Sequence, residues 1–278
     1  MKNNFIVLFV LTFSAKTYSQ TMSCCSNHAS GMATFASNQK FVAAHLSPLP
    51  FTYQTPAGKT TSFPTPDGKT GSAYVVMSAV PTDNYLFVLH EWWGLNDYIK
   101  QRSDELQKAL GNVNIVAVDM YDGKATSDPK VAAEYMKGAD NIRVQNIIKG
   151  AIAFAGKKAH IYSMGWCFGG GYSLQTAILS GTQANGCVMY YGMPETDISK
   201  LKTLNCEVLG LFAEKDEWIT PEVVKLFQKN MKTAGKKLSV NLYPADHAFA
   251  NPSNPHYDKA IAEQANAAAI KFFKERLR

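Results

Sequence analysis

The stretch His160-Ile-Tyr-Ser-Met-Gly-Trp-Cys-Phe-Gly-Gly-Gly171 decides the fold. An apolar run of strand length, His160 to Met164, meets Gly165-Trp-Cys-Phe-Gly169, and a helical stretch follows from about Phe168 to Leu179. A strand, a Gly-x-Cys-x-Gly turn and a helix opened by small residues form a nucleophile elbow, with Cys where Ser is usual. Glycine is needed on both sides because the incoming strand and the outgoing helix pass close together. Such an elbow is expected to hold Cys167 strained and exposed at the upper edge of a sheet. The helix N-terminus there favours thiolate over thiol, and the Phe168 N–H is placed to receive an oxyanion. Taken alone, the pattern also fits a packed cysteine at a glycine-rich turn, or an anion cradle without a nucleophile.

Outward from the elbow, strand-like and helix-like segments alternate. Upstream lie Tyr85 to Leu89 and Asn114 to Val118, with a helix from Asn96 to a glycine stop at Gly111 and helical stretches at 129–137 and 140–155. Downstream come Gly186 to Tyr191, Val208 to Phe212 and Leu238 to Tyr243. Thr220-Pro221 opens a helix with Val223, Phe227 and Met231 on one face, and the last helix carries Ile261, Ala265, Ala268 and Phe272. Lys59 to Phe63 and Ser72 to Met77 flank Pro66-Asp67-Gly68 as an initial antiparallel hairpin. Strands that are apolar without alternation are buried on both faces. The fold class is therefore α/β, a mainly parallel sheet with helices on each side. Its chemistry is expected beyond the carboxyl ends of the strands.

Those ends are rich in reactive residues. His90-Glu91, Asp119, Cys167, Tyr191, Asp216 and Asp246-His247 each follow an apolar run. Hydrolases built on an elbow carry nucleophile, acid and histidine in that chain order. Cys167, Asp216 and His247 match in type, order and strand end. Each alone has a plain reading, Asp216 as a helix-capping acid and His247 as a surface loop residue; their coincidence is the signal. His160 opens a strand at the opposite end of the sheet, His45 falls in an N-terminal extension, and His256 begins the last helix. Trp92, Trp93, Phe168, Tyr191 and Trp218 are candidates for an apolar pocket wall.

Four motifs keep order and place: His90-Glu-Trp-Trp-Gly-Leu-Asn96, Met120-Tyr-Asp-Gly-Lys124, Gly165-Trp-Cys-Phe-Gly-Gly-Gly171 and Asp246-His-Ala-Phe249. Together they resemble the dienelactone hydrolase family of α/β hydrolases, from about residue 59 to the C-terminus. The resemblance implies an α/β-hydrolase fold and cleavage of a carboxylic ester or lactone through a thioester acyl-enzyme. It implies Cys167 as nucleophile, His247 as base, Asp216 as its orienter, and Glu91 as an extra carboxylate that helps deprotonate the thiol. The backbone N–H groups of Trp92 and Phe168 would hold the oxyanion. The family's founding enzymes grip a substrate carboxylate with two arginines. Here Asn251 stands at one of those places and Asp122-Gly123-Lys124 at the other, with Lys124 as the nearby cation. The chemistry is thus better supported than that substrate.

Composition bounds the rest. The chain has 278 residues, 46% hydrophobic and 18% charged, which suits one large globular core. Its net charge of +6 is spread without a basic block, so a nucleic-acid partner is not suggested. Lys2, an apolar run from Phe5 to Phe13 and small residues after it mark residues 1–20 as a secretory signal peptide, too short to span a bilayer. Residues 21–58 form an N-terminal extension without a period, and 59–278 the hydrolase domain. The protein is expected to be exported, to a periplasm or beyond the cell, as a monomer. Cys24 and Cys25 are read as part of a frayed N-terminal tail, a better fit than a weak metal group with His28, while Cys187 and Cys206 are expected as buried apolar residues. No metal or organic cofactor is implied, and Gly169-Gly-Gly171 lacks the Lys-Ser or Lys-Thr of a phosphate loop. A non-catalytic binding module on the same scaffold, or a thiol-redox protein without a Cys-x-x-Cys, are the competing functions.

Overall fold

The structure, a computed structural model, describes residues 31–254 and 257–278. Two short helices, α1 (Gly31–Phe35) and α2 (Gln39–Ala44), precede the hairpin β1 (Lys59–Pro64) and β2 (Thr70–Val76). Then follow β3 (Asn84–Leu89), α3 (Asp97–Leu110), β4 (Asn114–Val118), α4 (Pro129–Gly138), α5 (Asn141–Ala155) and β5 (His160–Trp166). The rest comprises α6 (Phe168–Leu179), β6 (Ala184–Tyr190), α7 (Ile198–Lys202), β7 (Val208–Ala213), α8 (Pro221–Thr233), β8 (Leu238–Tyr243) and α9 (Lys259–Lys274). The eight strands lie in the order β1-β2-β4-β3-β5-β6-β7-β8. Only β1–β2 and β2–β4 are antiparallel, and every pair from β4 to β8 is parallel.

The parallel strands are held by burial on both faces. Leu86, Phe87, Val88 and Leu89 of β3 are fully buried, and every residue of β7 is buried. Each Leu, Val or Phe among them contributes roughly 1.5–3 kcal/mol by leaving water. Helices α3 and α9 pack together against the sheet, and α5 and α6 pack together likewise. Their starts are set by side-chain caps: Asn96 accepts from the Ile99 N–H, Asp128 from Lys130 and Val131, and Asp140 from Ile142. Among the described residues no helix is long and apolar enough to cross a membrane.

Two details differ from the sequence reading. The buried face of α8 is Val224, Phe227, Asn230 and Met231, and that of α9 is Ala262, Ala265, Ala269, Phe272 and Phe273. Both faces are rotated by about one residue, so Val223, Ile261 and Ala268 sit at the margin. The stretch 31–44 is helical although no period shows there, because helices of five and six residues complete too few turns to display one. Residues 1–20, Cys24, Cys25, His28 and His256 lie outside the described residues.

Candidate active site

The elbow is tighter than its sequence suggests. Strand β5 runs on through Trp166 and α6 begins at Phe168, so Cys167 alone makes the turn. Its φ of 51° is left-handed, a conformation that costs a non-glycine residue on the order of 1–3 kcal/mol. The glycines on either side are imposed by packing. A Cβ on Gly165 would run into the Gly169 carbonyl, and one on Gly169 into the carbonyls of Leu89 and His90.

Around Cys167 the carboxyl ends of four other strands deliver the remaining groups. Asp216, after β7, accepts from the Trp218 and Ile219 N–H groups at 2.8 and 2.9 Å through Oδ1. Its Oδ2 accepts from His247 Nδ1, on the loop after β8, at 2.7 Å. Burial works to raise the Asp216 pKa, but the imidazole and these hydrogen bonds outweigh it and hold the carboxyl below its ordinary range. Burial likewise works against a charged His247, yet Asp216 makes that imidazole more basic than usual. With Nδ1 committed, His247 Nε2 is buried with no hydrogen-bond partner among the described residues, and the imidazole and Cys167 Sγ approach within 4.8 Å.

Glu91, after β3, is the second carboxylate. Tyr191 Oη donates to its Oε1 at 3.3 Å, and Asn251 Nδ2 donates to its Oε2. Asn251 is fixed in turn by Ser253, whose N–H and Oγ donate to Oδ1 at 2.9 and 2.7 Å. Burial pushes Glu91 up to about 7, against the lowering effect of His247 and its two donors. The neighbouring His90 has a different task. Its Nδ1–H donates to Glu91 O at 2.6 Å and its Nε2 accepts from the Met120 N–H at 3.0 Å, which ties the ends of β3 and β4 together. Burial lowers its pKa, so it stays neutral.

Cys167 departs from expectation in one respect: it is 1% exposed, not exposed at the sheet edge. Desolvation raises its pKa, against His247 and the Phe168 N–H, so the resting group is a thiol despite the helix N-terminus. The N-terminal segment packs beside the thiol, with a ring nitrogen of His45 within 4.8 Å of Sγ. Phe41 of α2 packs 5.5 Å from Trp92 and 5.2 Å from Trp218, ring centre to ring centre. His45, which ends α2, lies 4.6 Å from the Trp92 ring and 5.6 Å from that of His247. No local sequence signal placed His45 here, since its neighbours come from loops far away along the chain. Cys187 is buried and Cys206 partly so, and neither joins Cys167 in a disulfide.

The remaining candidates divide. Trp92 is fully buried, and Trp93 lines a cleft with Glu91, Trp166 and Asn251. Tyr191 lies 5.0 Å from the His247 ring. Trp218 borders a depression that includes His45 and His247. Lys124 is not brought to this group. It stands over the Tyr135 ring at 5.7 Å in a separate depression, on a loop that Arg143 pins through Asp122.

Comparison with known proteins places the chain in a family. The Dienelactone hydrolase family profile matches residues 72–277. The chain is 28% identical over 207 residues to protein usf of Aquifex pyrophilus, covering 69% of this chain and 88% of that one. It is 23% identical over 213 residues to carboxymethylenebutenolidase 1 of Cupriavidus pinatubonensis, covering 72% and 89%. Among solved structures, a dienelactone hydrolase-like promiscuous phosphotriesterase from metagenomic libraries superposes with a TM-score of 0.69 at 20% identity. That match covers 80% of this chain and all of the other, and it shows a shared fold. From the second strand of its hairpin to its last helix, this chain belongs to the dienelactone hydrolase family.

Proposed function

We propose that this protein hydrolyses a carboxylic ester or lactone through Cys167, His247 and Asp216, with a thioester acyl-enzyme between two half-reactions. The observation that carries the reading is the connected line Asp216 Oδ2, His247 Nδ1 at 2.7 Å, and an otherwise unpartnered imidazole edge within reach of Sγ. Sulfur attacks the acyl carbon as the thiol proton leaves for the base pair formed by His247 and Glu91. The oxyanion is received by the Trp92 and Phe168 N–H groups. Collapse breaks the C–O bond, and His247 returns a proton to the departing alcohol. Water, deprotonated by the same imidazole, then cleaves the thioester and restores the thiol.

Two features of this chain shape the cycle. Asn251, a neutral donor to Glu91, leaves that carboxyl near 7, so it exchanges a proton readily at neutral pH. Cys167 is buried at rest, so an ester reaches it only when the packing around it moves, and α2, which brings His45 close to the sulfur, is the element we expect to move. Residues 1–20 fit an export signal, which would place this hydrolysis outside the cytoplasm. A panel of p-nitrophenyl esters and small lactones tests the reading. Turnover lost in Cys167→Ala supports it, and absence of any acyl-enzyme with activated esters favours a binding module.

A further inference from the structure

Three side chains from distant parts of the chain converge at the elbow. His45 caps the end of α2, Cys167 forms the turn and His247 follows β8. One ligand atom from each, two imidazole nitrogens and a thiol sulfur, lie within 4.8 Å of one another, and all three residues are buried. We infer that this trio binds a thiophilic divalent cation, with Zn²⁺ the ion its donors suit best, and that the ion switches the hydrolase off.

The tautomers support the assignment. His45 Nδ1 hydrogen-bonds the Phe41 carbonyl at 2.7 Å, so that nitrogen must carry the proton and Nε2 the lone pair. His247 Nδ1–H donates to Asp216, so in its neutral form its lone pair is on Nε2 as well, and a metal ion displaces any proton held there. A backbone carbonyl behind one imidazole and a carboxylate behind the other are the outer contacts that orient zinc-binding histidines. Two imidazoles and one thiolate make three protein ligands with a fourth position open, a common zinc arrangement. With bonds of about 2.0–2.3 Å, the donor atoms of a tetrahedral centre stand roughly 3.5 Å apart, so side-chain rotations of about 1 Å complete the site. The Asp216 carboxyl, 2.7 Å from His247 Nδ1, stands directly behind that ligand.

Uptake forms an S–Zn bond as the thiol proton passes to solvent, with no change of oxidation state. The ion then occupies the sulfur and the lone pair that hydrolysis uses, and His45 fastens α2 over both. Binding rests on the geometry alone, whereas the switch rests on the hydrolytic reading; zinc bound by a protein that turns over no ester would sink that reading and leave the site.

The test titrates Zn²⁺ into the full chain against a chromophoric chelator, without substrate. One Zn²⁺ per chain is expected. His45→Ala and His45→Gln, each confirmed folded by circular dichroism, should both weaken it at least ~10-fold. Co²⁺ in the wild type should show a sulfur-to-metal charge-transfer band that Cys167→Ala lacks. Ester hydrolysis should fall in proportion to zinc bound and return on adding EDTA. Equal zinc affinity in the wild type and both His45 variants would overturn the site, as would Co²⁺ bound without the sulfur band. Undiminished turnover at full zinc occupancy would overturn the switch.

Discussion

Glu91 owes its character to what stands beside it. A buried carboxyl given only two neutral donors, Tyr191 and Asn251, is raised to about 7 by desolvation. Below that pH it is protonated and cannot accept the thiol proton; above it, it can. For an uncharged ester, kcat/KM should therefore rise about tenfold per pH unit toward pH 7 and level off above. Glu91→Gln should lower the plateau by ~10–100-fold and remove that inflection. An inflection unchanged in Glu91→Gln would assign it to another group. The sign for stability is opposite: a raised carboxyl favours the folded state below its unfolded pKa of about 4.5, and this contribution is lost as pH climbs to about 7. Asp216→Asn should leave the fold intact yet cut kcat by ~10²–10⁴, because the amide no longer fixes the His247 tautomer. At this scale residue types, order and strand ends were legible in the sequence, and the structure brings Cys167, Asp216, His247 and Glu91 together. The burial of Cys167 was not legible, because neighbours such as His45 arrive from far away along the chain.

Elements decide who reaches the thiol. The parallel strands were readable because each is a short apolar run ended by a polar residue, and helix starts were readable from their caps. Helices α1, α2 and α7 were not, since five or six residues carry no period. Helix α2 is the consequential omission, for Phe41 is fully buried against Trp92 and Trp218 and lies 6.3 Å from the His247 ring. Phe41→Ala should loosen α2 and raise the rate at which a thiol reagent labels Cys167 by at least ~10-fold. The cavity left by that ring costs about 3–5 kcal/mol of local packing. An unchanged labelling rate would show that α2 is not the gate. Gly169→Ala should prevent the elbow from closing, because its Cβ meets the carbonyls of Leu89 and His90, and should appear as loss of soluble, cooperatively unfolding protein.

The whole molecule is closed by its tail. Asn84 at the start of β3 donates to Arg278 O at 2.6 Å and accepts from the Arg278 N–H at 3.2 Å, and Tyr162 Oη donates to Arg276 O. Removing Arg276–Arg278 leaves Asn84 buried without these partners. The urea midpoint should fall by the equivalent of ~2–4 kcal/mol at unchanged slope. These bonds span 194 and 114 residues along the chain, so no local pattern announces them. The sheet they close holds five strand ends around one sulfur, and the proposed function stands on that sulfur forming a covalent bond. The most direct measurement is intact-mass and peptide mass spectrometry of the protein acid-quenched during turnover of p-nitrophenyl acetate. One acetyl group on the peptide containing Cys167, absent from Cys167→Ala, is the expected result. Turnover with no acetyl on Cys167, or near-normal turnover by Cys167→Ala, would contradict it.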